Sequence, residues 1–518
     1  MTAHQATPTT TLAGDLPQRE SRDISIIAQG GSALLLASAF GNGLNYAFGI
    51  FLARTLGAEE FGLYALALTI FNMVSLTAVF GMDSGTTKFV SHHLVEGQHG
   101  KARESLIAAA AIAFGSGLVA AIGLAVLAHP IAVTLYDKPH LLQSLLYFSA
   151  AIPLATLTMV LISTLQAYQT VRYTILVKYL WEPVGKFILA GGLLWAGFQL
   201  LGVLISIVIV FAVSAALSIN AVRQLAFARS DCLVAWNWRE ARVLFSFCLP
   251  LVVSKIFGVV APRSDILILG YWVSVGEVGV YLAAFQTAAI MSLVLSAFDT
   301  SLGPIISRAW SQQDRARMRE SYQAVSRLSI MAALPIFCCL LLFSNEILRI
   351  FGSEFVDGRW ALMILALGQV FNTATGSANT VLLMSGHSRL VMTNTVVMGV
   401  LLLAATAMII PFLGITGAAL AAATVFILTN VIRVSQVWRL HHVQPYSTDL
   451  AKPVAAASLA TGIILMLFHV APSLSSPALA LAFSLLYVAG IWLLGVSRQD
   501  RLIFESLVSR GKRLFERG

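Results

Sequence analysis

Fourteen stretches of this chain are apolar enough and long enough to cross a bilayer, and little lies between them. They run approximately over 32–54, 61–81, 105–128, 141–165, 173–197, 200–220, 243–270, 276–300, 324–345, 360–384, 390–413, 415–436, 453–471 and 477–495. A hydrocarbon core about 30 Å thick takes about 20 apolar residues in a helix, and a backbone in lipid must satisfy its own hydrogen bonds. Each stretch is therefore expected to be a transmembrane helix. Composition agrees: 58% of residues are hydrophobic and 11% charged, with a mean hydropathy of +0.83, whereas soluble chains carry about 25% charged residues. The expectation is an all-α polytopic membrane protein of about fourteen helices with no sizeable soluble domain.

The basic residues sort by loop. Arg19, Arg22, Lys101, Arg103, Arg172, Arg223, Arg239, Arg242, Arg315, Arg317, Arg319, Arg389 and Arg439 fall on one side, with the C-terminal cluster; Arg54, Lys138, Arg349 and Arg359 fall on the other. Lys and Arg accumulate in cytoplasmic loops, so both termini are expected in the cytoplasm. This bias also accounts for the net charge of +9. No basic stretch is interleaved with stacking aromatics, and nucleic acid is not an expected partner. The first 28 residues are polar and lack the apolar core of a signal peptide. Cys232, Cys248, Cys338 and Cys339 lie in or beside apolar segments and read as small hydrophobes.

An internal repeat organises the chain. Phe61-Gly62-Leu63-Tyr64 matches Val278-Gly279-Val280-Tyr281 at an offset of 217, Asp83 faces Asp299 at 216, and Lys101-Ala-Arg103-Glu104-Ser105 faces Arg317-Met-Arg319-Glu320-Ser321 at 216. A near-constant offset that persists through charged loops marks duplication. Six helices per copy return the chain to the same side, so the reading is two parallel six-helix lobes around a central cavity plus two C-terminal helices. The division is a polar N-terminal segment at 1–28, lobes at 29–222 and 243–440, and a cytoplasmic linker at 223–242. Two further helices follow at 441–497, then a basic amphipathic tail at 498–518 that suits an anionic lipid surface.

Charges inside spans are costly, about 2.5–3.5 kcal/mol each at mid-membrane, and so mark transport paths or internal pairs. Lys178, Glu182 and Lys186 recur every four residues along one face of the fifth helix; Lys255 stands in the seventh without a local partner, and Arg263 and Asp265 follow Pro262. Asp83 and Asp299 fall near cytoplasmic helix ends and read as interfacial. The alternatives are a self-neutralised ladder for the first three and an outer helix-end ion pair for Arg263 and Asp265. Four cations against two anions favour an anionic substrate, with phosphate or pyrophosphate a candidate.

The Gly-x-x-x-x-Gly-Lys-Ser/Thr loop, the His-Glu-x-x-His motif and the Gly-x-Ser-x-Gly elbow are all missing. His92-His93 and His441-His442 read as solvated positions and no metal is assigned. The outer loop at about 344–359, with Glu346, Glu354 and Asp357, is the one place for an enzyme site.

The run Leu52-Ala-Arg54-Thr-Leu56-Gly57-Ala-Glu-Glu60-Phe61-Gly62-Leu-Tyr64, followed by Phe80-Gly81-Met-Asp83-Ser-Gly85, resembles the amino-terminal signature of bacterial Wzx-type polysaccharide flippases. These belong to the multidrug/oligosaccharidyl-lipid/polysaccharide exporter superfamily. Gly368-Gln369, Gly386-His387-Ser388 and Gly414-Ile-Thr-Gly417 resemble the second lobe. The resemblance implies movement of an undecaprenyl-pyrophosphate-linked oligosaccharide across the cytoplasmic (inner) membrane by alternating access, without enzymatic chemistry. It implies membrane lipids as surroundings, a polysaccharide polymerase and export machinery as candidate partners, and no cofactor beyond coupling to a proton or Na+ gradient. The rival readings are a multidrug/cation antiporter and a membrane polysaccharide polymerase or ligase.

Overall fold

The computed structural model describes residues 16–227, 237–255, 257–258, 261–470 and 475–494. Cys232 and the expected amphipathic tail at 498–518 lie outside the described residues. The described chain is helical, with no strand among the described residues.

The first lobe begins with α1 (Leu16–Ala78), which holds the first span and most of the second, folded double at Gly57. Gly57 has φ 79°, a conformation open to a residue without Cβ. Its two flanks converge on one spot. In a straight helix Tyr46 and Phe61 would stand about 22 Å apart. Here they pack edge-on against Phe351 and Phe355, with ring centroids 5.8 and 5.9 Å away, and those two rings are themselves 5.9 Å apart.

The second span bends at Phe80 and Gly81, both with positive φ, and ends in α2 (Met82–Val95). α3 (His99–His129) and α4 (His140–Ala167) follow. The fifth span is composite, built from α5 (Val171–Thr174), a π turn (Ile175–Trp181) and α6 (Glu182–Trp195); α7 (Gln199–Val222) closes the lobe.

The second lobe opens with α8 (Trp238–Lys255), a 3-10 turn (Ala261–Arg263) and α9 (Ser264–Trp272) in place of the single helix expected at 243–270. The break is local chemistry: Pro262 has no N–H to donate and its ring excludes a regular helix through it. α10 (Val275–Ser311), α11 (Arg315–Leu342) and the short α12 (Ser344–Arg349) come next. α13 (Arg359–Ala374) and α14 (Ala378–Met384) meet at a 40° bend. α15 (Ser388–His441) is folded double at Gly414, φ 53°, where the repeat places Gly197, also of positive φ. A Cβ on Gly417 would fall 2.9 Å from the carbonyl of Ile409, eight residues back, so the chain has reversed there. α16 (Ala451–Val470) and α17 (Ser476–Leu494) pack on α11 as an appendage.

Among the described residues nine helices are long and apolar enough to span a membrane, or ten with the bent pair. Two of the nine are folded double, and the fifth and seventh spans are interrupted. With the folded helices counted twice and the interrupted spans included, the described residues accommodate the expected count of about fourteen spans.

The lobes meet where α1 runs along α10. Gly62 and Gly279, mates in the repeat, touch across this seam: a Cβ on Gly62 would lie 1.9 Å from the Val275 carbonyl oxygen, and one on Gly279 would lie 2.4 Å from that of Ala58. The reciprocity is that of a two-fold axis along the membrane normal, and the absence of a Cβ on both glycines lets the backbones close in.

The segment 344–358, expected as an open outer loop, packs its aromatic side into this seam while Glu354 and Asp357 stay exposed. Phe351 and Phe355 are buried, Glu354 accepts the Ala58 N–H at 3.1 Å, and Glu346 accepts the Ser476 hydroxyl at 3.3 Å. His93 and His441 are buried as well, not solvated. His93 faces Glu240 at 3.8 Å, and His441 Nε2 stands 3.0 Å from the Ser385 hydroxyl.

Candidate functional site

Three charged side chains of the fifth span share one space. Lys178, Glu182 and Lys186 line a cavity of about 480 Å³ whose remaining wall comes from the second, fourth and sixth spans, including Tyr64, Asn72, Ser75, Asp83, Thr158 and Gln166. The helical spacing read from the sequence does set them on one face. The cavity, however, is lined wholly by the first lobe.

Local chemistry places them. Pro183 cannot supply the N–H that the Tyr179 carbonyl would take in a regular α-helix, and the wider π turn just before it absorbs the mismatch around Lys178. Gly41 of α1 packs directly on that turn, since a Cβ there would fall 2.8 Å from the Tyr179 carbonyl oxygen. The Trp181 indole N–H donates to the Val210 carbonyl at 3.2 Å and ties the turn to α7.

The three charges are not a closed ladder. Among the described residues none of them makes a hydrogen bond or an ion pair within 4.0 Å. Lys178 lies 5.9 Å from the neighbouring Tyr179 ring centre, and its side chain is exposed to the cavity.

Lys255, which has no partner in its own stretch of sequence, binds both carboxylate oxygens of Asp83, 172 residues away. The pair bridges α8 and α2, and so joins the lobes at the rim of the cavity. Asp83 is thus a lining residue as well as a paired one, where the sequence suggested an interfacial position. The sign that pointed to it was its repeat mate, Asp299. Asp299 takes a different partner, the Thr380 hydroxyl at 3.2 Å.

Arg263 and Asp265 are placed apart from this cluster. Asp265 is 1% exposed and is held by the Tyr281 hydroxyl at 2.6 Å and the Ile266 N–H at 2.8 Å. Arg263 is exposed and its guanidinium lies over the Phe285 ring at 5.3 Å. The six charged residues expected together therefore form two groups.

The balance of charge changes with them. With Asp83 engaged by Lys255, the cavity keeps Lys178 and Lys186 against Glu182, one positive charge in excess. The wall is otherwise of hydroxyl and amide groups on an apolar frame, able to hold an anion by charge and by hydrogen bonds.

The comparisons bear on family and fold. The chain is 26% identical over 416 residues to a probable low-salt glycan biosynthesis flippase, Agl15, of Haloferax volcanii, covering 78% of this chain and 82% of that one. It is 26% identical over 329 residues to the succinoglycan biosynthesis transport protein ExoT of Rhizobium meliloti, covering 63% of each. Among solved structures, the inward closed conformation of the lipid II flippase MurJ superposes with a TM-score of 0.71 at 13% identity, over 92% of this chain and 99% of that one. An inward-facing multidrug resistance transporter of the MATE family gives 0.65 at 13% identity, over 79% and 98%. Both show a shared fold. A family model described as polysaccharide biosynthesis protein matches residues 51–358, well over half of the chain, and the chain is a member of that family of multi-pass membrane proteins.

Proposed function

We propose that the chain is a flippase that moves a lipid-linked oligosaccharide, carried on undecaprenyl pyrophosphate, from the inner to the outer leaflet of the bacterial cytoplasmic membrane. The observation that carries this reading is the net-positive cavity of about 480 Å³ around Lys178, Glu182 and Lys186. A space of this size suits a diphosphate headgroup, not an oligosaccharide. The sugar travels between the lobes and the lipid tail stays in the bilayer. The relatives named as a glycan flippase and a succinoglycan transport protein support the same class of substrate.

Alternating access supplies the step. The seam at Gly62 and Gly279 closes the predicted outer side, and the Lys255–Asp83 bridge spans the lobes on the other. Loading the diphosphate on Lys178 and Lys186 shifts the charge at that rim, and release follows when the outer seam opens. Glu182 tunes the two lysines or couples the cycle to protons or Na+.

The test is deletion of the gene, location of the accumulated lipid-linked oligosaccharide, and complementation with Lys186→Ala and Arg263→Ala. Accumulation on the cytoplasmic leaflet, with failure of Lys186→Ala to complement, is the expected result. Flipped but unpolymerised units would indicate a polymerase. Normal glycan with new drug sensitivity would indicate an antiporter.

A further inference from the structure

A second hollow lies on the lipid-facing side of the first lobe, and its chemistry differs from that of the cavity. At the predicted cytoplasmic end, Trp238, Arg239, Arg242 and Phe245 of α8 enclose about 570 Å³ with Ile112 of α3. Next to it, Met73, Thr77 and Phe80 of the second span enclose about 700 Å³ with Ser116 and Val119 of α3, and these walls are almost wholly apolar. Ile112 and Ser116 are one helical turn apart, and the Phe80 and Phe245 rings meet at 6.2 Å. The two hollows form one groove.

Its depth is fixed by a hydrogen bond. The Asn237 amide donates to Glu104 at 2.7 Å, which sets the start of α8 level with the cytoplasmic end of the apolar run in α3. Arg239 and Arg242 therefore stand at headgroup level, with Trp238 beside them as an interfacial aromatic, and the apolar part descends into the inner leaflet. Both arginines are exposed and make no ion pair among the described residues. Among the described residues, Glu240, the acid between them in sequence, faces His93, and Glu104 across the contact with α3 holds Asn237.

We infer that this groove binds an anionic glycerophospholipid of the inner leaflet, its phosphate on Arg239 and Arg242 and one acyl chain laid past Phe245 to Phe80 and Val119. Two free guanidinium groups at the head of an apolar groove match such a molecule in charge and in shape. It is a resident lipid, not cargo in transit. Met73, Thr77 and Phe80 lie on the face of the second span away from Asn72, Ser75 and Leu76, which line the cavity, so nothing passes from groove to cavity unless that span leaves its neighbours. The bound chain presses on the bend at Phe80 and Gly81, directly before Asp83, and so bears on the bridge between the lobes.

The test is native mass spectrometry of the full chain titrated with phosphatidylglycerol or phosphatidylcholine. Preferential retention of phosphatidylglycerol is expected, and each basic charge near an anionic group contributes a factor of about five, so R239Q/R242Q lowers that affinity about thirtyfold. Val119→Trp, which fills the deeper hollow and leaves both arginines intact, lowers retention as well. Equal retention of the two lipids, or a double glutamine variant that holds phosphatidylglycerol like the parent, overturns the inference. So does stoichiometric displacement of phosphatidylglycerol by polyprenyl pyrophosphate, which would make the groove a site for the transported lipid.

Discussion

Lys138 and Glu354, 216 residues apart and so mates in the repeat, do the same job for opposite lobes with opposite charge. Lys138 donates to the carbonyls of Gly270 and, at 2.9 Å, Val273, at the C-terminal end of α9. Glu354 accepts from the Ala58 N–H at 3.1 Å, where the second span begins. A helix end that is negative receives the cation and one that is positive receives the anion. Each lobe thus latches a turn of the other on the predicted outer side, and Arg54 adds a third tie through the Ile350 carbonyl at 2.7 Å.

Removing either latch is expected to favour opening of the outer side. Loss of a capping contact costs about 1 kcal/mol, a shift of about fivefold in the ratio of closed to open states. Thiol labelling of Ala58→Cys, buried in the seam, measures it. Lys138→Ala and Glu354→Ala should each raise the labelling rate by about that factor, and unchanged rates would show that the latches do not hold the seam.

The first latch carries a pH dependence of definite sign. Burial holds the Lys138 ammonium below the usual lysine range, while Glu277 and Asp137 pull it part of the way back. The closed state therefore binds this proton less tightly than an open state with Lys138 in water. The charge thus weakens this latch at neutral pH without abolishing it, and the latch strengthens as pH rises through the lowered value toward about 10.4. Labelling of Ala58→Cys should accordingly fall with alkalinisation relative to the same probe in a Lys138→Ala background. A relative rise would contradict the burial of Lys138.

At Gly62 and Gly279 the tolerance for volume is nil. A methyl on Gly62 meets the Val275 carbonyl oxygen at 1.9 Å, and one on Gly279 meets that of Ala58 at 2.4 Å. These neighbours are backbone and cannot swing aside. Gly62→Val and Gly279→Val should each prevent outer closure and reduce transport at least about tenfold, since overpacking of a tight contact costs about 1–3 kcal/mol. Glycan export at matched membrane levels of the variant checks this.

How much of this was legible in the sequence depends on the range of the interaction. The spans and the duplication follow from apolar length and a steady offset, and the face shared by Lys178, Glu182 and Lys186 follows from helical period. Those are local signals. The partner of Lys255 is not local, because no rule of sequence spacing relates position 255 to 83 before the lobes are docked. Nor does hydropathy separate a helix from one that breaks: the π turn at Ile175–Trp181 and the 3-10 turn at Ala261–Arg263 sit inside unbroken apolar stretches, where Pro183 and Pro262 are the sequence's sign of a kink. The acids of 344–358 looked available because a polar loop is usually exposed. Glu354 and Asp357 are exposed as read, while burial of Phe351 and Phe355 draws the aromatic side of the segment into the seam.

The Lys255–Asp83 bridge can be tested by exchange of its charges. Lys255→Ala frees a carboxylate at the rim, and Asp83→Ala frees an ammonium, so each single change alters both the docking of the lobes and the charge of the cavity. Transport should fall about tenfold or more in each. The double exchange D83K/K255D restores the pair with its polarity reversed and should recover a substantial part of the loss, as expected for residues that couple directly. Additive losses in the double variant would show that the two side chains act apart.

Asp265 offers the sharpest contrast between a structural and a transport role. Its carboxylate is 1% exposed, one oxygen takes the Tyr281 hydroxyl at 2.6 Å and the other the Ile266 N–H at 2.8 Å. Tyr281→Phe removes the first donor without changing the volume of the site. A buried acceptor left without its partner costs about 1–3 kcal/mol, and more when charged. The variant should therefore melt several degrees below the parent in detergent, while Asp265→Asn, whose amide oxygen can accept the Ile266 N–H and whose amide nitrogen can donate to the Tyr281 hydroxyl oxygen, keeps both contacts and should fall by less. If both variants keep the parent's melting temperature and both lose transport, Asp265 belongs to the path of the substrate or the coupling ion. If Tyr281→Phe is destabilised and Asp265→Asn still transports, the carboxylate serves only to lock α9 against α10, and the cavity of the first lobe carries the anion without it.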